Sequence, residues 1–160
     1  MDKYTILKDT QEKPGWFFYP DQICAGMKDQ HLKTGDYTLE GFEHLLCIER
    51  KKTTAEVSQN ITTQRFQNEI DRMIKLKYKY IICEFDMYQL SMFPRESGLP
   101  EHIIKKIKMN SNYIKAKLNS YKDLGIQVIL AGNKFDAMLV AKNIFKEVFE
   151  REHGRKNSSS

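Results

Sequence analysis

The sequence is poor in the features that would commit it to a membrane, a disulfide scaffold or a zinc site. No stretch approaches the ~20 consecutive apolar residues that a helix needs to cross a bilayer. The opening "MDKYTILKDTQEKPGWFFYP" mixes acids and a proline where a secretory signal would be apolar. A soluble, cytoplasmic protein that touches no membrane is therefore expected. Cysteine is scarce: Cys24, Cys47 and Cys83 are odd in number and far apart, so no disulfide framework is expected and reduced thiols are, in the core for Cys47 and Cys83. The histidines His31, His44, His102 and His153 show neither ligand spacing nor a partner nucleophile, and structural or solvated roles are expected for them. There is no internal repeat and no linker, so the 160 residues read as one domain, able to hide roughly 70% of its unfolded surface.

What is present is a modest positive charge, formally +5 with a pI near 9.0, which suits a polyanionic partner and equally an ordinary lysine-rich surface. Patterning alternates between extended and helical segments. "KYTILKD" reads as a strand, Pro14-Gly15 as a turn, and Gly26 to Thr34 as a short second strand. Gly35-Asp36 turns into a hairpin-like "YTLEGFEHLLCIERK". Thr53 and Glu56 have capping-box spacing, and the apolar face that follows predicts one helix to about Leu76 with a phase slip near Thr62 to Arg65. "YKYIICEFD" predicts a strand buried on both faces. Met87 to Leu99 reads as a long loop. Pro100 opens a helix with Ile103, Ile107, Ile114, Leu118 and Tyr121 on its apolar side and a stop at Gly125. "IQVILAG" predicts a second buried strand and "NKFDAMLVAKNIFKEVFERE" a last helix, with His153 to Ser160 as a disordered polar tail. The alternation implies an α/β fold, a mixed central sheet covered by helices on both faces.

The sharpest feature is the end of "HLLCIERKK". A buried strand that ends in charge is costly unless the charges are paired or hold a metal. Alternation along an extended chain puts Glu49 and Lys51 on one face and Arg50 on the other, which gives Arg50 a structural ion pair. Strand pairing can carry Asp36 to the same end. Two carboxylates converging with a lysine offer oxygen ligands to a hard divalent cation such as Mg2+ (or Mn2+), with an ammonium beside the bound water.

"GDY", with twelve residues between Asp36 and Glu49 of "ERK", resembles the signature of the XPF/Hef nuclease family, a branch of the PD-(D/E)xK, restriction-endonuclease-like fold. "ILKDTQEKP" looks like the family's Asp-Ser/Thr-Arg-Glu segment, with Gln11 in place of the arginine. "NITTQRFQNEIDRM" is similar to the helix after the triplet, keeping Ile61, Arg65 and Arg72. "YIICEFD" and "IQVILAGNKFDAMLVAKNIF" look like the strand, strand and helix that follow, so the resemblance covers nearly the whole chain. It implies a nuclease domain over residues 1–152 and metal-dependent hydrolysis of DNA phosphodiesters, with branched or nicked DNA as favoured substrates. Asp36 and Glu49 would be metal ligands, Lys51 would orient or deprotonate the attacking water, and Asp9 and Glu12 would form a second carboxylate pair.

The resemblance also implies a homodimer through this domain, like the short stand-alone members of phages and mobile elements. The sequence departs from the family in three ways. The acid usually found at the fourth position after the triplet is Ala55, with Glu56 beside it in a capping role. Gln11 removes a phosphate contact. The family's C-terminal helix-hairpin-helix module has no counterpart here, so DNA contacts are expected from Arg65 and from Lys105, Lys108, Lys115 and Lys122 of a lysine-rich helix. "WFFYP" reads as a loop anchor or, alternatively, a base-stacking cluster. The rival function is a catalytically silent DNA-binding or scaffold module that pairs with an active nuclease.

Overall fold

The computed structural model describes residues 2–158, with side chains to Arg155. Six strands form one mixed sheet in the order β2-β1-β3-β4-β5-β6. β1 (Tyr4–Lys8) pairs in parallel with β2 (Cys24–Asp29) and antiparallel with β3 (Tyr37–Leu39), which in turn lies antiparallel to β4 (Leu46–Lys51). β4, β5 (Tyr78–Cys83) and β6 (Gln127–Leu130) are mutually parallel. The expected α/β class, a mixed central sheet flanked by helices, is observed. Helices cover both faces because every central strand is apolar on both. Tyr37, Ile48, Tyr80 and Ile82 meet Ala137, Ala141 and Phe145 of α6 (Lys134–Ser158) on one side. Cys47, Ile81 and Cys83 meet Val57 of α1 (Thr54–Asn60), Ile70 of α2 (Gln64–Met73) and Ile114 of the last helix before β6 on the other. All three thiols are free and buried.

Several boundaries differ from expectation for identifiable reasons. The second strand starts at Cys24 and ends at Asp29, set by its ladder with β1. The helix expected from Thr53 to Leu76 is two helices. The phase slip marks a real break, where Thr63 caps α2 by accepting from the Phe66 N–H at 3.1 Å. The expected loop after Phe85 contains α3 (Met87–Ser91), started by a capping box between Asp86 and Gln89. The lysine-rich helix is also divided, into α4 (Glu101–Ile104) and α5 (Ser111–Asp123), because Asn110 caps a new start. β6 is half-buried at the sheet edge, so it is less enclosed than its apolar sequence implied. The tail does not begin at His153. α6 continues to Ser158, with His153 stacked on Phe149 and paired with Asp2 at 2.8 Å; residues 159–160 lie outside the described residues. No described helix is long and apolar enough to cross a membrane.

Candidate active site

Asp36 reaches the end of β4 because Gly35 lets the chain pass close. Gly35 has φ +79°, and a Cβ there would sit 3.0 Å from Cys47 Cβ and 3.1 Å from the Ile48 carbonyl oxygen. The next residue is then held from three directions. The Asp36 N–H donates to the Ile48 carbonyl at 2.8 Å, its carbonyl accepts from the Asp9 N–H at 2.8 Å, and its Oδ2 accepts from the Arg50 N–H at 2.7 Å. The carboxylate is thereby fixed beside Glu49.

Alternation along β4 separates the charged triplet as its spacing predicts. Lys51 lies on the α1–α2 side, with Nζ 3.3 Å from Glu49 Oε2, 2.6 Å from Asn60 Oδ1 and 4.5 Å from the centre of the Phe66 ring. Arg50 lies on the other side, 3% exposed. It donates to Glu84 at 2.9 and 3.2 Å, to Glu12 Oε2 at 3.1 Å and to the Pro14 carbonyl at 2.9 Å, and it stacks on Trp16. Arg50 therefore has the structural ion pair its position suggested. The charge at the end of the buried strand is neutralised on both faces.

A cleft of about 490 Å³ opens on the Glu49–Lys51 face, and its walls bring together Asp9, Glu12, Asp36, Glu49 and Lys51. Asp9 and Glu12 are committed to holding the walls. Asp9 accepts from the N–H groups of Gln11 and Leu32, and Glu12 accepts from the Tyr37 hydroxyl at 2.7 Å and from Arg50. Burial, and then the charge of Glu49 within hydrogen-bond reach, push the Asp36 carboxyl well above the usual carboxylate range. For Lys51 burial works against the charged form, but Glu49, Glu56 and Asp36 outweigh it and hold the ammonium above its ordinary value.

Two adjacent carboxylates are the kind of donor set a hard cation takes, since it needs only one or two such groups and fills the rest with water. Among the described residues no three His, Cys, Asp or Glu side chains gather into a fuller cage.

The sequence did not single out Glu69, Asn60 or Glu84. Glu69 accepts from the Gly35 N–H at 2.5 Å and pairs with Arg72, so α2 clamps the turn that carries Asp36. Burial, followed by the nearby Glu49 charge, raises its carboxyl. These residues stand on separate elements at no motif spacing, so only the fold could reveal them. Glu56 forms half of the expected capping box: its N–H donates to Thr53 Oγ1 at 3.1 Å, but its carboxylate turns into the cleft, 3.7 Å from Lys51 Nζ. Arg65 is exposed and lines the cleft, whereas Lys105, Lys108, Lys115 and Lys122 do not. His31 also lines it, 3.7 Å from Asp9. In "WFFYP", Trp16 and Phe18 are core anchors while Phe17 and Tyr19 are exposed.

No family model and no curated protein sequence matches the chain. Solved structures similar in fold include two of one protein. XPF from Aeropyrum pernix aligns with a TM-score of 0.61 at 14% identity, over 90% of this chain and 61% of that one. XPF from Aeropyrum pernix in complex with DNA aligns with a TM-score of 0.62 at 14% identity, over 93% of this chain and 66% of that one. The chain thus spans less than two thirds of either structure, and at this identity the likeness is one of fold.

Proposed function

We propose that the protein is a divalent-metal-dependent endonuclease that hydrolyses DNA phosphodiester bonds, with branched or nicked DNA as its preferred substrates. The observation that carries this reading is the convergence of Asp36, Glu49 and Lys51 in one cleft, each fixed by backbone or buried side-chain contacts. The shared fold with an XPF structure bound to DNA supports it.

Asp36 and Glu49 would hold Mg2+ or Mn2+, which when bound neutralises charge on the scissile phosphate and activates water for attack. The protein's own groups do the remainder. Lys51, kept protonated by its acidic neighbours, orients the attacking water and stabilises negative charge developing on the phosphate; it is poorly suited to removing a proton while those neighbours are ionised. Asn60 and the Phe66 ring hold the Lys51 ammonium in place. Asp9 and Glu12 act as positioning residues through the walls they fasten, and Arg65 reaches the substrate backbone from the cleft rim. The reading includes a homodimer through this domain, and sedimentation equilibrium measures that state directly.

The test is incubation with end-labelled linear, nicked, flap and four-way DNA in magnesium, manganese or chelator. Cation-dependent cuts, most abundant on the branched or nicked forms, are expected. Binding without cutting in every cation would favour the silent module instead.

A further inference from the structure

A second groove of about 510 Å³ adjoins the candidate active site, with His31, Leu32, Lys33 and Arg72 belonging to both walls. The two spaces differ in charge balance. The active-site cleft is lined by six carboxylates, Asp9, Glu12, Asp36, Glu49, Glu56 and Glu69, against four cations, Lys33, Lys51, Arg65 and Arg72. The second groove has one acid, Glu43, against Lys33, Arg72 and Lys75 with His31 and His44. Of these cationic and imidazole groups all but Arg72 are on exposed residues. Arg72 stands between the two spaces. It donates to Glu69, which also holds the Gly35 N–H, while the Arg72 Nε is buried without a partner. The lysines that follow are already engaged: Lys77 pairs with Glu152 at 2.6 Å, and Lys79 donates to the carbonyls of Ile74 and Leu76 at 3.2 and 3.0 Å.

We infer that the second groove holds the phosphodiester backbone of the DNA strand on one flank of the bond presented to Asp36, Glu49 and Lys51. The identity of the strand rests on the nuclease reading above. The need for such a groove follows from charge. A cleft whose carboxylates outnumber its cations disfavours a polyanion, so a strand entering it gains from cationic contacts where it leaves, and the adjoining wall supplies them at Lys33, Arg72 and Lys75. Arg72 links that contact to the turn carrying Asp36 through Glu69, so a phosphate seated in the groove bears on the placement of the catalytic carboxylate.

The test is a fluorescence anisotropy titration of a labelled duplex against the Glu49→Gln chain at a series of salt concentrations in chelator. Each phosphate that a side chain ceases to neutralise lowers the slope of log affinity against log salt by about 0.9. The added pair Lys33→Gln and Lys75→Gln, both at exposed positions, should therefore lower it by about 1.8, twice that increment. The pair Lys105→Gln and Lys108→Gln, which removes the same charge outside both grooves, should lower it less. An unchanged slope in the groove pair, or an equal fall in the control pair, overturns the inference. So does polyglutamate that displaces the duplex as well as unlabelled DNA does at equal charge. A wild-type chain that binds DNA with the expected slopes but never cuts it sinks the nuclease reading and leaves the groove assignment standing. A chain that binds no DNA sinks both.

Discussion

Replacing Asp36 by asparagine should stabilise the protein while abolishing cleavage. The Asp36 and Glu49 carboxyls lie within hydrogen-bond reach in a partly buried cleft. Two like unit charges about 4 Å apart repel by about 4 kcal/mol at an effective dielectric constant of about 20, and the Lys51 ammonium offsets part of this. Asparagine nearly preserves the volume and still accepts the Arg50 N–H through its amide oxygen, at the loss of about 1 kcal/mol of charge assistance. A net gain of about 1–3 kcal/mol near neutral pH is expected.

The gain must depend on pH in a defined direction. Asp36 has its folded-state pKa raised above the ordinary value of 3.8. Its contribution to stability is therefore complete below that value and is lost as pH rises through the raised folded pKa. The wild type loses this stability and the asparagine variant has none to lose, so the advantage of Asp36→Asn should grow from about pH 5 to about pH 8. Urea unfolding at both pH values, followed by circular dichroism in chelator, reads it. A variant less stable than wild type by more than about 1 kcal/mol near neutral pH, or an advantage independent of pH, would refute the argument that ionising Asp36 beside Glu49 carries a cost.

Magnesium in excess of its Kd should raise the unfolding free energy of the wild type, by about 2.7 kcal/mol at a hundredfold excess, and leave that of Glu49→Gln almost unmoved; equal shifts in both would remove the carboxylate pair as its site. Lys51→Ala should slow single-turnover cleavage by ~100-fold or more, the scale of losing one donor that stabilises developing charge, with duplex affinity nearly intact, and a fall in affinity alone would make Lys51 a binding residue only. Arg50→Ala should cost about 3–5 kcal/mol in urea unfolding, since Glu12 and Glu84 are then buried without their cation; a loss under about 1 kcal/mol would contradict the network. Gly35→Ala should cost about 1–2 kcal/mol for the left-handed backbone alone and should reduce cleavage as well, because the clash with Cys47 displaces Asp36; an unperturbed variant would mean that the turn is not tight.

The strands and their alternation were legible because period-two patterning is a local property. "LCIERK" shows its two faces directly, and the separation of Lys51 from Arg50 follows from it. Helix breaks were less legible, since Thr63 and Asn110 each start a helix through a single side-chain cap inside a continuous apolar pattern, and Asp86 starts one through a capping box where the sequence reads as a loop. The candidate site divides the same way. Asp36, Glu49 and Lys51 stood at readable spacings, whereas Glu69 and Glu84 enter through α2 and the end of β5, and only the sheet order brings them to β4. The lysines of α4 and α5 were conspicuous in sequence as charge, but charge density does not say which surface adjoins the cleft; of the lysines beside it, Lys33 belongs to no run and Lys75 opens the alternating series Lys75, Lys77 and Lys79.

The most direct measurement compares wild type, Asp36→Asn and Glu49→Gln at equal protein concentration on end-labelled nicked and flap DNA, with magnesium and with chelator. Cutting by the wild type in magnesium alone, and by neither folded variant under any condition, is the expected result. Cutting that persists in chelator, or in either variant at the wild-type rate, would contradict the assignment of the Asp36–Glu49 pair as the metal-holding centre of a nuclease.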